Sequence, residues 1–182
     1  VLIMPNKIFP VKDFEFKSNK TYFFDNNVWV SLYAPLINTN KDQQNKASKF
    51  FKNLFSYNSQ IIVSSLILSE FSNTYVRFGF EQWKKATYNP TANYKRDYKK
   101  TQNFKDTLEE VKTLIKGIID LEITSNFPDD FNAIDFEKVL NSFEIDYNDS
   151  YYFQQCQLNN WILVTSDDDF DNIDGNLTIV KI

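Results

Sequence analysis

Four short apolar runs, "YFF" at 22–24, "IIV" at 61–63, "WILVT" at 161–165 and "LTIVKI" at 177–182, are separated by longer stretches with helical spacing. Each is rich in β-branched and aromatic residues and too short for a helix, so each reads as a buried strand. Strands alternating with helices imply a parallel sheet covered on both faces. The expected fold class is therefore α/β: a three-layer sandwich around a central, mainly parallel β-sheet. Only 3 Gly and 5 Pro occur in 182 residues, which disfavours a turn-rich all-β fold. The length suits one domain over residues 1–182, and no repeat or linker interrupts it.

Between the strands, "NNVWVSLYA" reads as a helix that stops at Pro35. "NTNKDQQNKASKFFKNLFSYN" holds a polar loop and an amphipathic helix with Phe50, Phe51, Leu54 and Phe55 on its apolar side. "SSLILSEFSNTYVRFGF" follows the second strand, with Ser64 or Ser65 as N-cap. Residues from about 80 to 120 form a helical insertion broken near "YNPTAN", and "LEITS" at 121–125 is a further strand candidate. "PDDFNAIDFEKVLNSF" holds one or two helices, and "DYNDSYYFQQCQLNN" opens another. Residues 1–20 read as an N-terminal arm or an edge strand.

The chain has no histidine. That removes the usual general acid–base at neutral pH, the Ser-His-Asp triad and histidine-ligated zinc. A single cysteine forms no internal disulfide and no thiolate cage, and predicts a reducing, cytoplasmic setting. Cys156 reads as a small buried hydrophobe. No stretch approaches the ~20 apolar residues of a membrane helix. Chemistry must then run on carboxylates, lysines, hydroxyls or a hard metal ion. Charge is uneven: residues 1–119 carry 18 basic and 10 acidic side chains, and residues 120–182 carry 2 and 14. Such a split suggests separate regions for anions and for cations.

In parallel sheets the ligand site lies at the carboxyl ends of the strands. Asp25 ends the first strand, and Asp167 follows "WILVT" by two residues. Glu70 lies about one and a half turns into the helix after "IIV", at ~3.6 residues per turn. Asp149 stands at the start of the helix that leads into "WILVT". Four carboxylates in one cleft repel one another unless cations sit among them, and oxygen ligands suit Mg2+ or Mn2+. Displacement at phosphorus needs such an arrangement and no histidine. Each acid has a plainer reading: Asp25 or Asp149 as a helix cap, Glu70 as a solvated helix residue, Asp167 as a turn residue. Asp169 is balanced between metal support and turn, while Asp168 and Asp171 read as solvated. A calcium loop fails, because aligning Gly175 to its glycine puts Phe170 first and Lys181 last.

The segments "YFFDNNVWV", "IIVSSLILSEFSN", "DYNDSYYFQQC" and "WILVTSDDDF" resemble the PIN domain family of metal-dependent ribonucleases. The resemblance implies endonucleolytic hydrolysis of RNA with Mg2+ or Mn2+. It implies catalytic and metal roles for Asp25, Glu70, Asp149 and Asp167, with Asp169 as a further metal residue and Asn27 and Thr165 in support. It also implies a toxin held by an antitoxin protein, often as a homodimer. The insertion and the N-terminal arm exceed what compact bacterial members need. The rival expectation is a catalytically silent PIN-like adaptor that binds RNA or protein. A metal-dependent phosphatase is disfavoured, because "FFDNNVW" lacks two Asp separated by one residue.

Residues 83–105 carry seven basic side chains and one acid, interleaved with Trp83, Tyr88, Tyr94, Tyr98 and Phe104. Lysines hold phosphates and aromatic faces stack on unpaired bases, so the segment is an RNA-track candidate through Lys84, Lys85, Lys95, Arg96, Lys99 and Lys100. The opposing reading is a solvated helix surface whose aromatics face a core.

Overall fold

The computed structural model describes residues 5–129, 131–142, 145–173 and 175–182. Expectations that touch residues 1–4, Asp130, Phe143, Glu144 and Asp174 fall outside these. Six strands form one sheet: β1 Lys7–Pro10, β2 Thr21–Phe24, β3 Gln60–Val63, β4 Thr124–Asn126, β5 Ile162–Thr165 and β6 Thr178–Lys181. Their spatial order is β1-β6-β5-β2-β3-β4, and every pairing is parallel. The α-helices among the described residues are α1 Asn26–Tyr33, α2 Lys41–Ser56, α3 Ser65–Ala86, α4 Gln102–Ile119, α5 Phe136–Asn141 and α6 Tyr147–Asn159. No helix of the described residues is long and apolar enough to cross a membrane.

The run "YFF" shows why the sheet is covered on both sides. Successive side chains of a strand point to opposite faces. The Phe23 ring lies 4.9 Å from Tyr152 of α6 on one face. Tyr22 and Phe24 meet Phe50 of α2 on the other, at 5.6 and 6.1 Å, and Phe24 also meets Trp29 of α1 at 5.3 Å. All three strand residues are fully buried, each contributing about 1.5–3 kcal/mol of burial. The predicted apolar side of α2 is narrower than expected. Phe50 and Leu54 are buried with Ala47, Phe51 is half-buried, and Phe55 is 51% exposed.

Local signals fix most boundaries. Ser64, not Ser65, caps α3, accepting from Ile67 N–H at 3.3 Å. Asn40 and Thr101 cap α2 and α4. The strand expected at 121–125 forms only over Thr124–Asn126. The cause lies in α4, whose last carbonyls need donors. The Thr124 hydroxyl donates to Leu121 and Ile118 carbonyls at 2.8 and 3.1 Å, so residues 120–123 are spent on the turn. Of the two readings for the N-terminal segment, Lys7–Pro10 is an edge strand paired with β6.

The segment around 80–120 is a helical hairpin of α3 and α4 joined through a π-helical turn at Tyr94–Tyr98. Its aromatics form a satellite core. Phe80, Trp83, Tyr94, Tyr98 and Phe104 pack with ring centroids 5.2–6.3 Å apart. These rings face one another, which answers the sequence-level choice for Trp83, Tyr94, Tyr98 and Phe104. Only Tyr88 stands out, 94% exposed. Gly79 permits the close approach of the hairpin arms. A Cβ there would meet Thr107 Cγ2 and the Tyr98 hydroxyl, each at 2.8 Å.

Candidate metal centre

The chain visits β2, β3 and β4 toward one edge, then returns to place β5 on the other side of β2. The direction of winding therefore reverses between β2 and β5, and a crevice opens outside their carboxyl ends. Asp25 and Asp167 come from those two ends. The Asp25 N–H donates to the Val164 carbonyl at 3.0 Å, which locks the end of β2 to that of β5.

Asp25 is both a cap and a cleft residue. Its side chain accepts from Asn26 N–H at 2.5 Å as N-cap of α1. The other carboxylate oxygen accepts the Thr165 hydroxyl at 2.6 Å and the Asn27 amide. Thr165 in turn accepts the Asp167 N–H at 2.9 Å, and Asn27 accepts the Ser166 N–H at 3.1 Å. The two supporting residues named from sequence thus tie Asp25 to the loop that carries Asp167.

One cleft of about 390 Å3 is lined by Asp25, Glu70, Asp149 and Asp167 together with Asp146, Asn26, Asn27 and Thr74. Carboxylate oxygens of Asp149, Asp167 and Asp169 lie within 4.8 Å of one another. Asp169, balanced in the sequence between two roles, therefore joins Asp149 and Asp167. Glu70 is held differently. It accepts the Tyr152 hydroxyl at 2.8 Å and the Asn148 amide at 3.3 Å.

The electrostatics agree with the geometry. Burial pushes the Asp25 carboxyl up to about 7, with Glu70 and Asp167 adding to the rise and the Thr165 and Asn26 bonds opposing it. Burial also raises Asp149 to about 8, reinforced by Asp25, Asp146, Glu70 and Asp167. Glu70 is raised by burial and by Asp146, against its bonds to Tyr152 and Asn148. Groups at different places in the chain thus feel one another's charge. A hard divalent ion fits this donor set. Ligand oxygens at ~2.1 Å from one ion lie at most ~4.2 Å apart, so the cluster needs to close by only about half an ångström.

Sequence reasoning missed several members. Asp146, rather than Asp149, is the N-cap of α6, accepting from Asp149 N–H at 3.0 Å. The cap-type spacing D-x-x-D was visible in "DYND" and would have freed Asp149 from the cap reading. Asn148, one residue before Asp149, and Tyr152, three after it, both donate to Glu70. Asp168 and Asp171 are exposed, as expected of solvated turn residues, but both also pair with Lys181, at 3.1 and 2.9 Å, which the sequence did not suggest. Cys156 is fully buried, and burial pushes its thiol well up, as expected of an inert core residue.

The basic candidates lie on the hairpin, apart from the cleft. Lys84 pairs with Glu81 at 2.7 Å and lies over Phe80. Arg96 makes two bonds to Asp97, at 2.8 and 2.9 Å. Lys99 lies over Tyr94. Lys85, Lys95 and Lys100 have no ion pair within 4 Å among the described residues. Along α3, Glu70 and Lys84 are separated by about 21 Å at 1.5 Å per residue.

No curated protein matches the chain. A similar solved structure is the crystal structure of VapBC2 from Rickettsia felis bound to a DNA fragment from their promoter. The similarity has a TM-score of 0.50 at 18% identity, over 87% of this chain and 96% of that one. At that identity the likeness concerns the fold. The PIN domain profile matches residues 22–176, which includes β2, the cleft acids and the Asp167 loop. This chain belongs to the PIN domain family.

Proposed function

We propose that the chain is a divalent-metal-dependent endoribonuclease, acting as the toxin of a toxin–antitoxin pair. The observation that carries this is the convergence of Asp149, Asp167 and Asp169 oxygens within 4.8 Å beside a buried Asp25. PIN domain membership supports nuclease chemistry. Asp149, Asp167 and Asp169 would hold Mg2+ or Mn2+, with Asp25 and Glu70 completing the acidic wall. When bound, the ion supplies charge neutralisation and an activated water for attack on a phosphodiester. The chain's own contribution is to fix those oxygens. Thr165 and Asn27 orient Asp25, while Tyr152 and Asn148 orient Glu70. With no histidine present, proton transfer would fall to carboxylates or to water on the ion.

Substrate would run from the cleft toward the hairpin, where Lys85, Lys95 and Lys100 offer unpaired charge and Lys84, Arg96 and Lys99 a partly neutralised one. Phosphate contact, rather than base stacking, is the mode proposed there, since most hairpin aromatics pack inward. The VapBC2 likeness supports an antitoxin protein as partner; a homodimer as the working form is carried over from the family resemblance alone.

The test is cleavage of end-labelled single-stranded RNA at pH 8 with Mn2+, Mg2+ or chelator. Metal-dependent internal cuts by the native chain, lost in Asp149→Asn and Asp167→Asn, are expected. RNA binding without cleavage by the native chain in Mn2+ would establish a silent adaptor instead.

A further inference from the structure

The last strand carries a lysine that the nuclease reading does not use. Lys181 stands directly across from Thr165 in the β5–β6 register, so both side chains leave the same face of the sheet. Its side chain is only 16% exposed. Its ammonium reaches the Asp171 carboxylate at 2.9 Å, the Asp168 carboxylate at 3.1 Å and the Asp167 backbone carbonyl. One hydrogen bond and two ion pairs of this ammonium thus end on one loop. Lys181 is one of two basic residues after position 119.

That loop carries Asp167 and Asp169. Its rear is fixed by Phe170, fully buried, and by Asn6, whose amide donates to the Phe170 and Ile173 carbonyls. Its front is held by the Thr165 hydroxyl on Asp167 N–H and by Asp167 Oδ1 on Asp169 N–H at 3.0 Å. Lys181 is a further tether, beside the Ser166 N–H bond to Asn27. It also sorts the acids: Asp168 and Asp171 turn to the lysine, which leaves Asp167 and Asp169 for the cleft.

We propose that Lys181 is a positioning residue that sets the affinity and selectivity of the acidic cluster for a small divalent ion by clamping the 167–171 loop. The inference rests on the metal-centre reading above. It makes a prediction of sign. By charge alone, removing a cation beside an acidic cluster tightens cation binding. Releasing the loop weakens it, because a small ion such as Mg2+ or Mn2+ demands near-fixed geometry, whereas Ca2+ tolerates irregular sites. Partners that orient metal ligands typically contribute 10–100-fold in affinity.

The experiment is calorimetric titration of the chelator-treated protein at pH 8 with Mn2+ and separately with Ca2+. Native chain, Lys181→Met, Lys181→Arg and Asp149→Asn are compared, each with a thermal melt in chelator to confirm folding. Lys181→Met should bind Mn2+ about 10-fold more weakly, with a smaller loss for Ca2+, and Lys181→Arg should recover part of the loss. Native binding that Asp149→Asn abolishes but Lys181→Met leaves equal or tighter overturns the clamp while the metal centre stands. Absence of Mn2+ binding by the native chain overturns both. If Lys181→Met fails to fold, Lys181→Arg decides: weaker Mn2+ binding at unchanged charge supports the clamp, and unchanged binding overturns it.

Discussion

Without metal, the acidic cleft should make this protein less stable as pH rises through neutrality. Asp25 is 4% exposed, and its carboxyl is pushed from an ordinary 3.8 up to about 7, first by burial and then by Glu70 and Asp167. The folded state therefore holds this proton more tightly than the unfolded chain does. Stability from Asp25 is fully present below pH 3.8 and is lost as pH rises through 7. A shift of that size costs about 4 kcal/mol once complete, and roughly 2–3 kcal/mol of it falls between pH 5 and pH 8. Asp149, raised to about 8, acts in the same direction and is screened more by solvent. For a chain of this length, a loss of 2–3 kcal/mol lowers Tm by roughly 4–12 °C. The assay is urea and thermal unfolding in chelator from pH 5 to 8.5, for the native chain and Asp25→Asn. The native curve should fall, and the variant should fall less, because Asp149 remains and its neighbour's charge is gone. Saturating Mn2+ should flatten the native curve. A metal-free native chain whose stability holds or rises from pH 5 to 8 would refute the electrostatic reasoning, as would an equal fall in Asp25→Asn.

The same carboxyls predict that the apparent Kd for Mn2+ drops more than about 10-fold from pH 6 to pH 8.5 and then levels, since binding requires ionised oxygens; calorimetry across that range checks it. Asp149→Asn or Asp167→Asn should lower metal-dependent RNA cleavage at least ~100-fold while leaving Tm in chelator unchanged or higher, read by gel and melt. Gly79→Ala should cost about 1–3 kcal/mol by overpacking against Thr107 and Tyr98, with Mn2+ affinity unchanged. Replacing Lys85, Lys95 and Lys100 with Glu should weaken single-stranded RNA binding and flatten its salt dependence, with a fluorescence anisotropy titration at two salt concentrations as the check.

The four inner strands were legible because they are short, mostly buried and rich in Phe, Ile and Val, so apolar runs sufficed without alternation. Asp25 and Asp167 were legible because each lies just past such a run. Thr124 was not, because its strand begins only after its hydroxyl has served the end of α4. The hairpin aromatics misled the base-stacking reading because a π-helical turn brings Tyr94 and Tyr98 onto Phe80 and Trp83. Lys181 was invisible for a different reason. Its partners lie 10–14 positions away, and only the β5–β6 register brings it to Thr165 and the loop. Asp146 needed the distinction between a cap and a first-turn residue in a helix opening that offers both.

The most direct measurement is anomalous diffraction at the manganese edge from crystals soaked in Mn2+. A strong peak within about 2.5 Å of oxygens from Asp149 and Asp167, adjoining Asp169 and facing Asp25, is the predicted result. Crystals with the cleft open to solvent and no peak among these carboxylates would contradict it.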